Sequence, residues 1–149
     1  MRYSHPLKVG IKKLIPEAVI PKYARPWDAG MDLVATSRTT DDYGNIVYGT
    51  GIALEIPEGF VAFLFPRSSN SKTDLYLTNS VWVIDSGYRW EIFVKYRPSK
   101  DLDEGRMIYE VGDRVVQLVI LPFPEIHFEE KDELEESVRG AGGFGSTGS

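Results

Sequence analysis

Apolar residues recur along this chain in short runs, alternating or continuous, and each run is closed by glycine, proline or a cluster of Asp, Asn and Ser. That is a strand pattern, because a strand returns a side chain to one face every second residue whereas a helix needs spacings of three and four. Val9-Gly10-Ile11-Lys12-Lys13-Leu14 alternates as a strand, and Pro16, Pro21 and Pro26 then keep the path extended. Asp41-Asp42-Tyr43-Gly44-Asn45 lies between Thr39-Thr40 and Ile46-Val47-Tyr48, and Pro57-Glu58-Gly59 lies between the apolar runs 51–56 and 60–65. Both spacings predict hairpins. A third hairpin is predicted over residues 79–91, where Val81, Val83 and Ile84 lead into Asp85-Ser86-Gly87 and a second β-rich run follows at 92–96. No amphipathic helix of useful length and no internal repeat interrupts these strands, so the pattern predicts an all-β sandwich or barrel.

Three places break the apolar pattern with chemistry. Asp32 stands at the centre of the run 29–35, where a strand disfavours an acid unless something uses it. Asp85 tips the central turn, with Tyr88 three residues on; together they offer a general base beside an aromatic platform, or simply a turn former and a strand former. Pro66-Arg67-Ser68-Ser69-Asn70-Ser71-Lys72 packs a guanidinium, hydroxyls, an amide and an ammonium together. Such a stretch can cradle an anion, Arg presenting a fork to phosphate oxygens, or can be a capped turn with solvated basic neighbours.

Composition narrows the classes. With 149 residues the chain fits one domain: a barrel over 1–124, an acidic edge segment and linker over 125–138, and a glycine-rich arm over 139–149. A net charge of -5 argues against nucleic-acid binding through a basic face. The chain has no cysteine, which excludes disulfides, thiolate metal sites and a catalytic thiol, and His5 and His127 lack metal-ligand spacing. No stretch has the length of a membrane span or a signal core, so a soluble, cytoplasmic protein is expected, cellular or viral in source. The arm is glycine and hydroxyl around Arg139 and Phe144, too poor in apolar surface to order itself; it is either a loose terminus or a flap that orders over a ligand.

Five segments, 29–33, 66–69, 79–91, 112–118 and 139–148, resemble in order the five motifs of the homotrimeric dUTP pyrophosphatases, and 50–59 is similar to a connecting segment of that family. The resemblance implies a jelly-roll-like β-barrel with a flexible C-terminal arm, assembled as a homotrimer whose sites are shared between subunits. It implies hydrolysis of dUTP to dUMP and pyrophosphate with Mg²⁺, the metal being carried by the phosphates. By position, Asp85 would orient the attacking water and Asp32 would act on the metal's water shell or the local charge network. Arg67, Ser68, Ser69 and Gln117 would hold phosphate, joined from the arm by Arg139 and Ser146. Tyr88 would pack under the deoxyribose, Asn79 and Trp82 belong to the base-recognising hairpin, and Phe144 beside Gly145 would stack on uracil.

Trp82 and Trp90 stand where that family has glycine. Three placements follow: an indole fills the base pocket, the indoles face away from it, or they stack on each other across the hairpin. The first would leave a nucleotide-binding or protein-interaction module with an altered uracil pocket. A dCTP deaminase shares the fold, but Lys95 stands where deaminases carry a catalytic Glu.

Overall fold

The structure, a computed structural model, describes residues 6–99 and 107–143. Among these residues ten strands form three antiparallel sheets, with no α-helix. β2 (Met31–Val34), β10 (Arg114–Pro122), β6 (Phe60–Phe65) and β8 (Trp82–Ile84) lie side by side in that order in one four-stranded sheet. The second contains β3 (Ser37–Thr40), β4 (Ile46–Gly49), β9 (Phe93–Pro98) and β7 (Leu75–Leu77), again in spatial order. β1 (Gly10–Lys13) pairs with β5 (Ile52–Glu55) as a separate ribbon.

The two larger sheets close on one core, giving the jelly-roll-like architecture expected from the sequence. Leu33, Ala62, Leu64, Ile84, Val116 and Leu118 enter from the first sheet, and Ile46, Tyr48, Leu75, Leu77, Val94 and Tyr96 from the second. Alternation does the sorting: in β9, Val94 and Tyr96 are buried while Lys95 and Arg97 between and beyond them point outward. Full burial of one Leu such as Leu64 contributes about 1.5–3 kcal/mol, so sheet register is strongly enforced. Tyr48, Tyr96 and Tyr109 form an edge-on cluster, with ring centroids 5.4 to 6.0 Å apart. Each buried hydroxyl finds an acceptor: Tyr48 donates to the Tyr109 carbonyl, Tyr96 to the Val115 carbonyl and Tyr109 to Asn70 Oδ1.

One predicted hairpin forms and two do not. β3 and β4 pair across the Asp41 turn, where the carboxylate accepts from the backbone N–H groups of Tyr43 and Asn45. β5 and β6 are joined by Pro57-Glu58-Gly59 but do not pair, since β5 goes to β1 and β6 to β10 and β8. Likewise β8 pairs with β6, whereas β9 pairs with β4 and β7. The central stretch is therefore a corner between sheets. Tyr88 N–H closes its turn on the Asp85 carbonyl, and Ile92, almost fully buried, then bonds to Ile52 and Thr50 and commits the chain to the other layer.

Candidate functional site: two clefts on one chain

The register of β10 builds the first cleft. Gln117 is the Cα partner of Asp32 on β2 and of Phe65 on β6, and Arg67 follows Phe65 by two residues, so acid, amide and guanidinium meet at one end of the sheet. The Asp32 carboxylate accepts from Arg67 Nε at 2.8 Å and from Arg114 Nη1 at 3.4 Å. Arg67 Nη1 in turn reaches Ser69 Oγ at 3.1 Å. Gln117 Nε2 donates to the Pro66 carbonyl at 2.9 Å. A Cβ at position 30 would lie 2.8 Å from Gln117 Oε1, so Gly30 is what lets this amide sit beside β2. The cleft, about 490 Å³, is walled by Asp32, Arg67, Ser68 and Gln117 together with Lys22 and Asp28 from the proline-rich loop. Its cations and hydroxyls suit phosphate oxygens, and Asp32 holds the Arg67 fork in place for them.

Asp85 and Tyr88 open onto a second cleft of about 440 Å³, walled also by Val47, Trp82, Ile92 and Phe93. Asp85 is exposed, and no residue among those described hydrogen-bonds or ion-pairs with its carboxylate, which leaves both oxygens open to a ligand or water. Tyr88 donates its hydroxyl to the Glu91 carbonyl at 2.9 Å, fixing the ring. Burial, and secondarily the Glu91 charge, push that phenol above its ordinary pKa, so it stays a neutral platform. Lys95 also borders this cleft but is paired with Asp41 at 3.0 Å. The two clefts share no lining residue.

The tryptophans separate. Trp82 is the Cα partner of Leu64, packs on the core and walls the Asp85 cleft; its buried Nε1 has no hydrogen-bond partner among the described residues. Trp90 is 71% exposed and borders a different hollow with Lys12 and Arg89. The two indoles are therefore not opposite each other, because the strands that were to carry them lie in different sheets. Asn79 is exposed on the loop between β7 and β8 and walls neither cleft. Arg139 bonds within its own turn, to the Gly142 carbonyl at 2.8 Å. Phe144, Gly145 and Ser146 lie outside the described residues. Sequence reasoning does not single out Arg114, Lys22 or Asp28; Arg114 lies within the 112–118 motif, but the other two lie in a loop whose prolines signal only an extended path.

Fold and clefts define a class, an all-β protein that presents an anion cradle and, separately, an open carboxylate beside an aromatic wall. Comparison with known proteins gives the class its family. The family model for dUTPase matches residues 16–148. The deoxyuridine 5'-triphosphate nucleotidohydrolase of Thermobifida fusca is 41% identical over 145 residues, covering 95% of this chain and 79% of that protein. That of Rhodococcus erythropolis is 37% identical, covering 97% and 88%. Among solved structures, the Staphylococcus bacteriophage 80alpha dUTPase with dUpNHpp superposes with a TM-score of 0.80 at 28% identity, covering 95% of this chain and 99% of that one. The chain belongs to the dUTPase family.

Proposed function

We propose that this protein hydrolyses dUTP to dUMP and pyrophosphate in the cytoplasm. The observation that carries the reading is the open Asp85 carboxylate in one cleft with Tyr88, found in the same chain as the Asp32-held Arg67 cradle. Asp85 takes a proton from a water that attacks the α-phosphorus, the bond from that phosphorus to the bridging oxygen breaks, and pyrophosphate leaves. Tyr88 packs under the sugar, while Arg67, Ser68, Ser69 and Gln117 hold phosphate oxygens and neutralise charge that develops on the leaving group. No group of three or more His, Asp or Glu side chains is placed to hold a metal among the described residues, and Asp32 is occupied by Arg67 and Arg114. Mg²⁺ would be carried on the substrate phosphates, with Asp32, already bonded to Arg67 and Arg114, reaching its water shell, and would supply charge neutralisation there.

The resemblance to the homotrimeric dUTP pyrophosphatases favours a working site that joins the cradle of one subunit to the Asp85 cleft of another, with the arm from residue 139 closing over it, and the separate linings of the two clefts leave room for that arrangement. Exposed Ile126, Phe128 and Leu134 after β10 supply apolar surface for such an assembly. Sedimentation at micromolar concentration should give three times the chain mass; a stable monomer that turns over dUTP refutes the shared site. Activity is tested by pyrophosphate release from dUTP, dCTP and dTTP with Mg²⁺. Release from dUTP alone is expected, and release from none of the three, or ammonia from dCTP, overturns the reading.

A further inference from the structure

We infer that Asn70 and Tyr109 are positioning residues, which set the Ser68-Ser69 turn against the anion cleft through the hydrogen bond from the Tyr109 hydroxyl to Asn70 Oδ1. The inference rests on the reading that this turn holds the triphosphate.

Ser68–Lys72 is a 3-10 turn, and no residue in it is buried. Apolar packing therefore does not fix its place, and polar ties must. Asn70 supplies them. Its side chain walls neither cleft; Oδ1 accepts from the Tyr109 hydroxyl at 3.2 Å and Nδ2 donates to the Leu75 carbonyl at 3.0 Å. Its own carbonyl accepts from Thr73 N–H at 2.9 Å and from Thr73 Oγ1 at 2.7 Å. Ser71, by contrast, bonds only inside the turn, to the Ser68 carbonyl.

The other end of the tie is rigid. Tyr109 is 6% exposed, and its ring packs edge-on against Tyr48 and Tyr96. Its carbonyl accepts from the Tyr48 hydroxyl at 2.8 Å and from Arg38 Nη1 at 3.4 Å. Tyr96 in turn donates to the Val115 carbonyl at 2.6 Å, two residues before Gln117. One tyrosine cluster thus touches both sides of the phosphate cradle, the turn that carries Ser68 and Ser69 and the strand that carries Gln117. Buried networks of this kind, with their hydroxyls satisfied, rigidify the elements they join.

The test uses the full chain with Mg²⁺ and compares two probes by calorimetry, dUpNHpp, which has the phosphates, and deoxyuridine, which lacks them. Tyr109→Phe keeps the ring and removes only the donor; it should weaken dUpNHpp about fivefold, the scale of one neutral hydrogen bond, and leave deoxyuridine unchanged. Asn70→Ala, which also removes the bond to the Leu75 carbonyl, should act in the same direction and at least as strongly, and the double variant should bind no more weakly than Asn70→Ala, since the Tyr109 tie is already lost there. Unchanged dUpNHpp affinity in Tyr109→Phe overturns the inference. So does an equal loss for both probes with a lowered Tm, which would mark a general role in the core. If the unaltered protein binds no dUpNHpp, the dUTP reading fails first and takes the positioning role with it.

Discussion

At the scale of single residues, Asp85 and Trp82 occupy one cleft and pull in opposite directions. Asp85 is open and uncommitted, as a base must be before substrate arrives. Asp85→Asn keeps the shape of the side chain but cannot take a proton, so kcat should fall about 10²–10⁴-fold with nucleotide affinity largely kept. Titration with dUpNHpp alongside steady-state kinetics checks both halves, and a near-normal kcat would remove Asp85 from the chemistry. Trp82 narrows the same cleft while leaning on the core, whereas Trp90 stands outside it. Trp82→Gly should therefore lower Tm, through loss of its packing on the core, yet raise kcat/KM for dUTP about tenfold by widening the cleft that the base enters. Trp90→Gly should change neither by much; equal effects from the two substitutions would contradict the placement of the indoles. Asp32 and Asp85 were legible in sequence because an acid inside an apolar run, or at a turn tip, is conspicuous. Trp82 was legible only as an intruder, since which wall it forms depends on a partner strand that local sequence does not name.

Elements were legible in kind and less so in pairing. Every run read as a strand from 46 to 122 contributes to one, because period-two burial leaves a local imprint. The Asp41 turn was legible as a hairpin because its chemistry is mainly local: above all the Asn45 amide, aided by the distant Lys95, holds that carboxyl well below the usual range, so it remains a charged acceptor for the turn's N–H groups. The turns at Pro57-Glu58-Gly59 and Asp85-Ser86-Gly87 have equally good local chemistry but join strands of different sheets. What sends them apart is burial of Ile92 and pairing of β5 with β1, both set by residues distant in sequence. The tyrosine cluster was invisible for the same reason. Alternation shows that Tyr48 and Tyr96 face inward, and says nothing of which hydroxyl meets which carbonyl. Beyond β10 there is no strand among the described residues, so removal of residues 139–149 should leave Tm within about 1 °C while kcat/KM falls at least about tenfold. Unaltered kcat/KM in the truncated protein would exclude the arm from the site.

At the scale of the whole molecule, the core that positions both clefts is sealed by tyrosine hydroxyls, and this sets a limit at high pH. Burial pushes the Tyr48, Tyr96 and Tyr109 phenols above their ordinary value. A raised folded-state pKa contributes stability that is fully present below the unfolded value of about 10 and is lost as pH climbs through the folded one. Thermal unfolding should accordingly show a flat Tm up to about pH 10 and a steep fall above it. Tyr96→Phe leaves the Val115 carbonyl without its donor, so it should start lower at neutral pH and fall less steeply. Identical alkaline slopes for the two proteins would separate the cluster from the pH limit.

Water attack at the α-phosphorus, directed by Asp85, is tested most directly by turnover of dUTP in ¹⁸O-labelled water with mass analysis of both products. The proposed chemistry places one labelled oxygen in dUMP and none in pyrophosphate. Label in pyrophosphate, products of dUDP and phosphate, or no product at all would contradict it.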